Sequence, residues 1–314
     1  MLIGHQKQWQ FLKKSAKSGK ISHAYLFSGP EHLGKKKIAL EFVKLINEWQ
    51  GPAEGGRVVG GWSPDLILIA PQQGGEIQIS QIKELIQKLS LKSYSAPFKC
   101  AILDKAHLMN QEAQNCFLKT LEEPKGKTLL VLITESPEML FPTIRSRCEI
   151  IKFFPVKAAE IENYLETQAK RWVKMKAKPS STDQGISRKE SAQIIKLSMG
   201  RPGLAIDFIS DPQKLENQKR IIKELIEISK SDLSFRFQYV RDLSKNPNLK
   251  EILEVWLFYF RSILLGSLTP KFKSPGYTPP RLKNILKKIQ STIFLISNTN
   301  INSRLALEIL MLEL

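Results

Sequence analysis

A glycine-bounded loop near the start of the chain has the composition of a phosphate-binding site. Residues 29–36 read Gly-Pro-Glu-His-Leu-Gly-Lys-Lys, which is the spacing G-x-x-x-x-G-K-x. In such a loop the glycines let backbone N–H groups approach phosphates, and the lysine reaches the β- and γ-phosphates. The spacing predicts that Gly29, Gly34 and Lys35 hold a nucleotide or another anion. The alternative is a loop that keeps this shape and binds nothing.

Two positions around this loop have the wrong chemistry for ATP hydrolysis with magnesium. The motif should end in Ser or Thr, whose hydroxyl ligates Mg²⁺, but Lys36 has only hydrogen-bond donors and a positive charge. The apolar run 101–103 ends in Asp104, where a second NTPase motif would hold the ion, and Lys105 follows it. A protonated lysine cannot act as a general base. The pair of departures therefore argues against hydrolysis at this site.

The loop requires a preceding strand and a following helix, and the surrounding pattern supplies both. Short apolar runs alternate with amphipathic segments, which predicts a parallel α/β sheet with helices on both faces. Ser80 is predicted as the N-cap of one of these helices. The predicted strands are 23–28, 66–69, 99–103, 129–134 and 149–153, and the predicted helices are 35–49, 80–90 and 111–121.

The strand pattern stops near Pro155, and the remainder is predicted to be helical. The chain is accordingly divided into an α/β domain, residues 1–155, a small helical domain, residues 156–210, and a C-terminal helical domain, residues 211–314. Residues 177–185 have the composition of a loop. Residues 252–263 are apolar nearly all round, which is typical of a core helix or of packing within an oligomer.

Composition narrows the classes of partner. The formal charge of +18 favours polyanionic partners such as nucleic acid, or else reflects a solvated lysine-rich surface. Cys100, Cys116 and Cys148 form no CxxC pair, so we expect neither a disulfide nor a metal site but small buried side chains in a reducing cytosol. Without a signal-peptide pattern or an apolar run of about 18–20 residues, the expected location is cytoplasmic and away from membranes.

Three stretches carry a family likeness. They are Ile-Ser-His-Ala-Tyr-Leu-Phe-Ser-Gly-Pro at 21–30, Asn-Cys-Phe-Leu-Lys-Thr-Leu-Glu-Glu-Pro at 115–124, and Leu-Phe-Pro-Thr-Ile-Arg-Ser-Arg-Cys at 140–148. In this order, around a phosphate loop and an Asp-ended strand, they resemble the clamp-loader branch of the AAA+ ATPases, and within it the delta-prime subunits of bacterial DNA polymerase III. The likeness covers about residues 1–210.

The resemblance implies an AAA+ domain, a helical lid and a helical collar within a hetero-pentameric ring that loads a sliding clamp onto primed DNA, without sequence-specific readout. It implies a subunit that hydrolyses no ATP, and no bound cofactor beyond a nucleotide or anion. It also implies that Arg147 enters the ATP site of a neighbouring subunit as an arginine finger. The alternative for Arg147 is a structural ion pair at the entrance of a strand.

Other positions depart from the active members of the family. Where the first γ-phosphate sensor is expected, Thr134 ends a strand, and strand-end packing is the alternative role. The sensing arginine of the lid aligns with Gly203, while Arg201 is offset by two residues. Residues 50–62 contain no cysteine, so the zinc module of many bacterial relatives is not expected.

Three functions from different classes remain to be weighed. A non-catalytic clamp-loader subunit fits Lys36, Lys105 and Arg147 best. A catalytically active AAA+ clamp-loader subunit would need Ser or Thr at position 36 and Glu at position 105. An unrelated P-loop kinase or nucleic-acid-binding module predicts neither the Ser-Arg-Cys triplet nor an all-helical tail.

Overall fold

The computed structural model describes residues 2–47, 64–72, 75–94, 96–175, 188–267, 277–298 and 301–314. The chain divides into two compact units, residues 1–206 and 207–314. The predicted loop at 177–185 and the glycine-rich residues 50–62 lie outside the described residues. The proposed division into three domains at 155 and 210 stays a prediction.

A five-stranded parallel sheet forms the centre of the first unit. Its strand order is β2-β3-β4-β1-β5, and every pairing is parallel. Three strands are buried along their whole length, which explains why their sequences are apolar except at the ends. The predicted parallel α/β class is therefore confirmed. The strands are β1 (Ala24–Ser28), β2 (Leu66–Ile69), β3 (Lys99–Leu103), β4 (Thr128–Thr134) and β5 (Glu149–Lys152).

Helices cover both faces of this sheet, because neighbouring residues of each strand point to opposite sides. Leu26 belongs to a buried cluster that includes Phe117 of α4, whereas Phe27 belongs to a second cluster that includes Phe42 of α2. The helices that begin in this unit are α1 (Gln6–Lys17), α2 (Lys35–Ile46), α3 (Ile79–Ser90), α4 (Gln111–Glu122), α5 (Pro142–Ser146), α6 (Ala158–Met175), α7 (Arg188–Leu197) and α8 (Pro202–Ser210).

The predicted N-cap of α3 is wrong. The helix begins at Ile79, its N-cap is Gln78, and Ser80 lies inside the first turn. The backbone N–H of Gln78 donates to Oε1 of Gln81 at 3.1 Å, so a glutamine three residues ahead satisfies a donor at the helix end. Serine is the more common N-cap residue, but here the hydrogen bond between Gln78 and Gln81 fixes the start of the helix.

All regular secondary structure in the described residues of the second unit is helical. Trp256 and Phe260 of α11 are fully buried and pack in one cluster with Leu282 of α12 and Leu307 of α13. The apolar segment 252–263 is thus a core helix, as predicted. The helices are α9 (Pro212–Lys230), α10 (Leu233–Leu243), α11 (Leu249–Ser267), α12 (Pro279–Asn298) and α13 (Ser303–Met311). None of the helices in the described part of the chain is long and apolar enough to span a membrane.

The three cysteines are free thiols. Cys100 and Cys148 are buried, and burial raises the pKa of each thiol to about 12, so both stay protonated and unreactive at neutral pH. Cys116 is only half-buried, which differs from the expectation of three buried side chains. Its place on α4, at the rim of a buried cluster, accounts for the partial exposure.

Candidate functional site

The phosphate loop joins the carboxyl end of β1 to the N-terminus of α2, as the motif requires. Gly29 has a φ of 149°, and a Cβ atom built there would overlap the carbonyl oxygen of Phe153. Only glycine fits at this point, because the backbones of the loop and the segment after β5 touch. Gly34, with a φ of 83°, is the N-cap residue of α2.

The lysine of the motif is turned onto its own loop. Lys35 is 6% exposed, and its Nζ donates to the carbonyl oxygens of Gly29 and Pro30, the latter at 2.6 Å. Burial lowers the pKa of Lys35 to about 8, although the carboxylates of Glu135, Glu31 and Asp104 act in the opposite direction. The ammonium thus has protein partners where a phosphate would otherwise be its partner.

The ammonium of Lys36 neutralises the acid of the second motif. Nζ of Lys36 lies 3.0 Å from Oδ2 of Asp104, which follows the carboxyl end of β3. In a magnesium site, position 36 would supply a hydroxyl and position 104 a carboxylate to the same ion. Here the two positions bind each other, so a tethered cation takes the place between loop and strand where a divalent ion would bind.

The second unusual lysine forms a second ion pair with the loop. Nζ of Lys105 lies 2.9 Å from Oε1 of Glu31, and this hydrogen bond raises the pKa of Lys105. The lysine is therefore protonated at neutral pH and cannot accept a proton from water. Both departures noted in the sequence are thus paired with acids at the rim of one pocket.

The pocket in front of the loop has a volume of about 620 Å³. Its walls include Lys35, Lys36, Asp104 and Lys105, so the structure brings the predicted phosphate-loop residues and the second motif together. In the part of the chain that the structure describes, no group of three or more His, Cys, Asp or Glu side chains could hold a metal ion. The pocket therefore has a lysine at one of the two magnesium-binding positions, residue 36, and a second lysine, residue 105, where a general base would be needed.

At the strand end next to the loop, the Thr134 hydroxyl is already used locally. Thr134 is 1% exposed, its Oγ1 accepts a hydrogen bond from the backbone N–H of Ser136 at 3.1 Å, and its carbonyl oxygen accepts one from Gly29 at 3.1 Å. These contacts support the strand-end role that was the alternative to phosphate sensing.

The N-terminus of α8 contacts the phosphate loop through its backbone. The N–H of Gly203 donates to the carbonyl oxygen of His32 at 2.8 Å, and a Cβ at position 203 would lie 2.8 Å from that same oxygen. A side chain at the sensing position would therefore displace the loop. The charge of Arg201 contributes to lowering the pKa of Lys35, although less than burial does.

Sequence analysis missed two groups in this pocket. His107 is 8% exposed, and its Nε2 lies 3.5 Å from Oε1 of Glu135, while its Nδ1 is buried without a hydrogen-bond partner among the described residues. Both residues follow carboxyl ends of neighbouring strands, β3 and β4. Polar residues just after parallel strands meet at one edge of a sheet, and this rule could have predicted the pair.

Arg147 does not line the pocket of its own chain. It caps the C-terminus of α5, where Nη1 donates to the carbonyl oxygen of Thr143 at 3.0 Å and Nη2 lies 2.8 Å from Oε1 of Glu122. The side chain is 36% exposed, so the guanidinium is held at the surface. The ion pair foreseen as the alternative role exists, and it leaves part of the fork accessible to another molecule.

The first half of the chain is similar to known subunits of DNA polymerase III. A family model described as "DNA polymerase III, delta subunit" matches residues 4–157. The "DNA polymerase III subunit delta'" of Bacillus subtilis is 37% identical over 166 residues, covering 51% of this chain and 50% of that protein. The protein of the same name from Pseudomonas aeruginosa is 33% identical over 152 residues, covering 45% and 46%.

A broader similarity extends beyond this region. The "DNA polymerase III subunit tau" of Bacillus subtilis is 25% identical over 310 residues, covering 92% of this chain and 52% of that protein. The chain spans about half the length of the curated relatives that it matches.

Proposed function

The chain belongs, through residues 4–157, to the delta-prime family of DNA polymerase III clamp-loader subunits, and we propose that it is a clamp-loader subunit with no ATPase activity of its own. Its fold is the α/β AAA+ fold followed by helices. Within DNA replication, its role would be to help load a sliding clamp onto primed DNA.

The pairing of Lys36 with Asp104 at 3.0 Å is the observation that carries this proposal. A magnesium ion bound there would have to displace the ammonium and would then find no hydroxyl at position 36. Lys105, paired with Glu31, supplies no base to activate water. The alternative of a catalytically active AAA+ subunit has no observation in its favour at either position.

We further propose that Arg147 stabilises the transferring phosphoryl group in the ATP site of an adjacent subunit. The position supports this role, because the guanidinium is at the surface, is 36% exposed and lies outside the chain's own pocket. The planar fork of arginine matches phosphate oxygens, and an arginine supplied in trans raises rates by about 10³–10⁵ in well-studied GTPases.

The proposed partners are other clamp-loader subunits in a hetero-pentameric ring, the sliding clamp and, through the complex, primed DNA without sequence specificity. Similarity to both delta' and tau supports membership of such an assembly. The net charge of +18 suits contact with a polyanion.

ATPase assays on the chain alone and in a reconstituted clamp loader test these proposals. With Mg²⁺ and ATP, the isolated chain should show no turnover. In the complex, Arg147→Ala should lower DNA-stimulated hydrolysis at one neighbouring site while assembly, followed by size-exclusion chromatography, stays intact.

Arg220→Ala is the matched control, since Arg220 is also an exposed arginine beside a glutamate, 3.7 Å from Glu224 in α9. The control should hydrolyse ATP like the parent complex. Turnover by the isolated chain that disappears in Lys35→Ala would refute the non-catalytic assignment. Full activity of Arg147→Ala in an intact complex would refute the role in trans.

A further inference from the structure

A second pocket, here called the lysine pocket, lies at the amino ends of β3 and β4. The phosphate loop follows the carboxyl end of β1, and because all strands are parallel the two sites are at opposite edges of the sheet. The lysine pocket has a volume of about 440 Å³, within the usual range for ligand sites. The end of α3, residues that precede β3 and the turn that precedes β4 form its walls.

The charges around this pocket have one sign. Four lysines line it, and among its described lining residues none is acidic. Repulsion between ammonium groups that share a pocket makes an anionic ligand favourable, since its charge offsets theirs. The four are Lys92, Lys99, Lys125 and Lys127.

One of these lysines is fixed in place by the backbone. Lys99 is 9% exposed, and its Nζ donates to the carbonyl oxygens of Leu91 at 2.9 Å and Lys92 at 3.3 Å. An ammonium has three protons, so one remains after these two bonds. Lys99 therefore ties the segment after α3 to the start of β3 and keeps a buried positive charge beside the pocket.

The same segment presents an aromatic ring to solvent. Tyr94, two positions after Lys92, is 83% exposed. Its backbone is nonetheless anchored, because the buried carboxylate of Asp65 accepts from the N–H groups of Tyr94 at 2.7 Å and Ala96 at 3.0 Å. An exposed aromatic ring on a residue whose backbone N–H is anchored in this way is available to stack against another flat group.

We propose that the lysine pocket and Tyr94 together bind single-stranded nucleic acid. The exposed lysines would contact backbone phosphates, and the Tyr94 ring would stack on a base. A basic groove with an exposed aromatic side chain is the usual arrangement for binding single strands without sequence preference. This site is separate from both the phosphate loop and Arg147, and it does not depend on the function proposed above.

Fluorescence anisotropy with the isolated chain tests the proposal, without ATP or partner subunits. The probe is a labelled, mixed-sequence single strand of about 16 nucleotides, compared with the same sequence as a duplex. Tyr94→Ala should weaken binding of the single strand about tenfold and leave the salt dependence unchanged, since stacking releases no counterions. Duplex binding should not change, because its bases are already stacked.

A triple variant, Lys92→Gln with Lys125→Gln and Lys127→Gln, separates the charge contribution. For three phosphate contacts, the slope of log affinity against log salt should become shallower by about 2. The charge-matched control is Lys13→Gln with Lys14→Gln and Lys17→Gln, on the basic face of α1. The aromatic control is Phe154→Ala, a ring of similar exposure at 63%.

The outcomes divide clearly. Selective effects of Tyr94→Ala on single strands, and of the pocket triple on the salt slope, support the proposal. Equal losses in both lysine triples would mean attraction by net charge alone and overturn it, as would equal losses in Tyr94→Ala and Phe154→Ala. Binding of inorganic pyrophosphate that the pocket triple abolishes, with unchanged oligonucleotide binding, would identify a small-anion site and overturn it too.

Discussion

Glu122 and Arg147 are joined across 25 residues of sequence by an ion pair in which Oε1 of the acid lies 2.8 Å from Nη2 of the guanidinium. The acid ends α4, and the arginine ends α5. The group proposed to reach a neighbouring subunit is thus oriented by a carboxylate of its own chain. An arginine finger that is held in this way loses less conformational entropy when it docks, but it must share or release Glu122 to do so.

The first prediction concerns Glu122→Gln. The pair is exposed, with side chains 36% and 48% accessible, so its loss should cost less than about 1 kcal/mol in the free energy of unfolding. If Glu122 orients Arg147, the variant should raise the concentration of partner subunits needed for half-maximal ATPase and leave the maximal rate close to that of the parent. Chemical denaturation and ATPase titration provide the two readouts.

Glu123→Gln, at the adjacent position, is the control for loss of an acid at the end of α4. If Glu122→Gln lowered the maximal ATPase rate as much as Arg147→Ala does, a positioning role for Glu122 would be contradicted, because the acid would then take part in the chemistry itself.

The second prediction concerns Lys36→Thr. The substitution removes the ammonium that neutralises Asp104 and adds a hydroxyl, which recreates two oxygen ligands for Mg²⁺. Binding of a fluorescent ATP analogue should become at least about tenfold tighter with Mg²⁺ than with EDTA, a difference of about 1.4 kcal/mol. The parent chain should show no such preference for magnesium.

Lys36→Met serves as the comparison, because it removes the same charge without adding a ligand. If both variants preferred magnesium equally, the positive charge of Lys36 alone would account for the exclusion of the ion, and the missing hydroxyl would not matter.

The third prediction follows from the buried ammonium of Lys35. Burial lowers its pKa from 10.5 to about 8, so between these values the unfolded chain binds a proton at this side chain that the folded chain does not. Raising the pH through this window therefore favours the folded state. Below pH 8 both states are protonated, and the contribution no longer changes.

The variant Lys35→Met lacks this proton. The free energy of unfolding of the parent, relative to Lys35→Met, should rise as the pH goes from 8 to 10.5. Urea denaturation at several pH values measures the difference. Parallel pH profiles for the two proteins would mean that the ammonium is not buried as described.

The fourth prediction compares two glycines. Gly29→Ala adds a Cβ that overlaps the backbone oxygen of Phe153, so strain and displacement together should destabilise the fold by about 2–4 kcal/mol. Gly19 has a φ of 68°, but apart from its chain neighbours no atom of the described residues lies within 4 Å of the place that an added methyl group would take, so Gly19→Ala should cost only about 1–2 kcal/mol. Thermal unfolding of both variants measures the difference between their losses of stability. Equal losses would mean that the close approach of Phe153 does not add to the cost at position 29.

Much of the first unit could be predicted because its signals are local. Runs such as Ala24–Ser28 and Thr128–Thr134 are apolar except at their ends, and a parallel sheet buried on both faces favours that composition. Helix α1 was not predicted, because only Leu12 and Ser15 are buried and most of its other residues are polar. The prediction of Ser80 as the N-cap of α3 was wrong because the side chain of Gln81 reaches back to the backbone N–H of Gln78.

The unusual residue types of the candidate site could be recognised in the sequence, but the contacts that those residues make could not be predicted. Lys36 and Lys105 stood out because each occupies a position with a known chemical task. That they pair with Asp104 and Glu31 depends on how β3 lies beside the loop, which residue spacing does not give. Likewise, Glu122 meets Arg147 only because the ends of α4 and α5 come together.

The two lysine–acid pairs also bear on how ATPase activity could be gained. Restoring a hydroxyl at position 36 alone leaves the Asp104 carboxylate without its ammonium, and restoring an acid at position 105 alone sets two carboxylates, Glu31 and the new one, against each other. In the absence of a bound cation, each single substitution therefore removes the lysine partner of one acid, Asp104 or Glu31. For the inactive site proposed above, a gain of ATPase activity would need both changes together, because a hydroxyl at position 36 supplies no base and an acid at position 105 supplies no hydroxyl ligand.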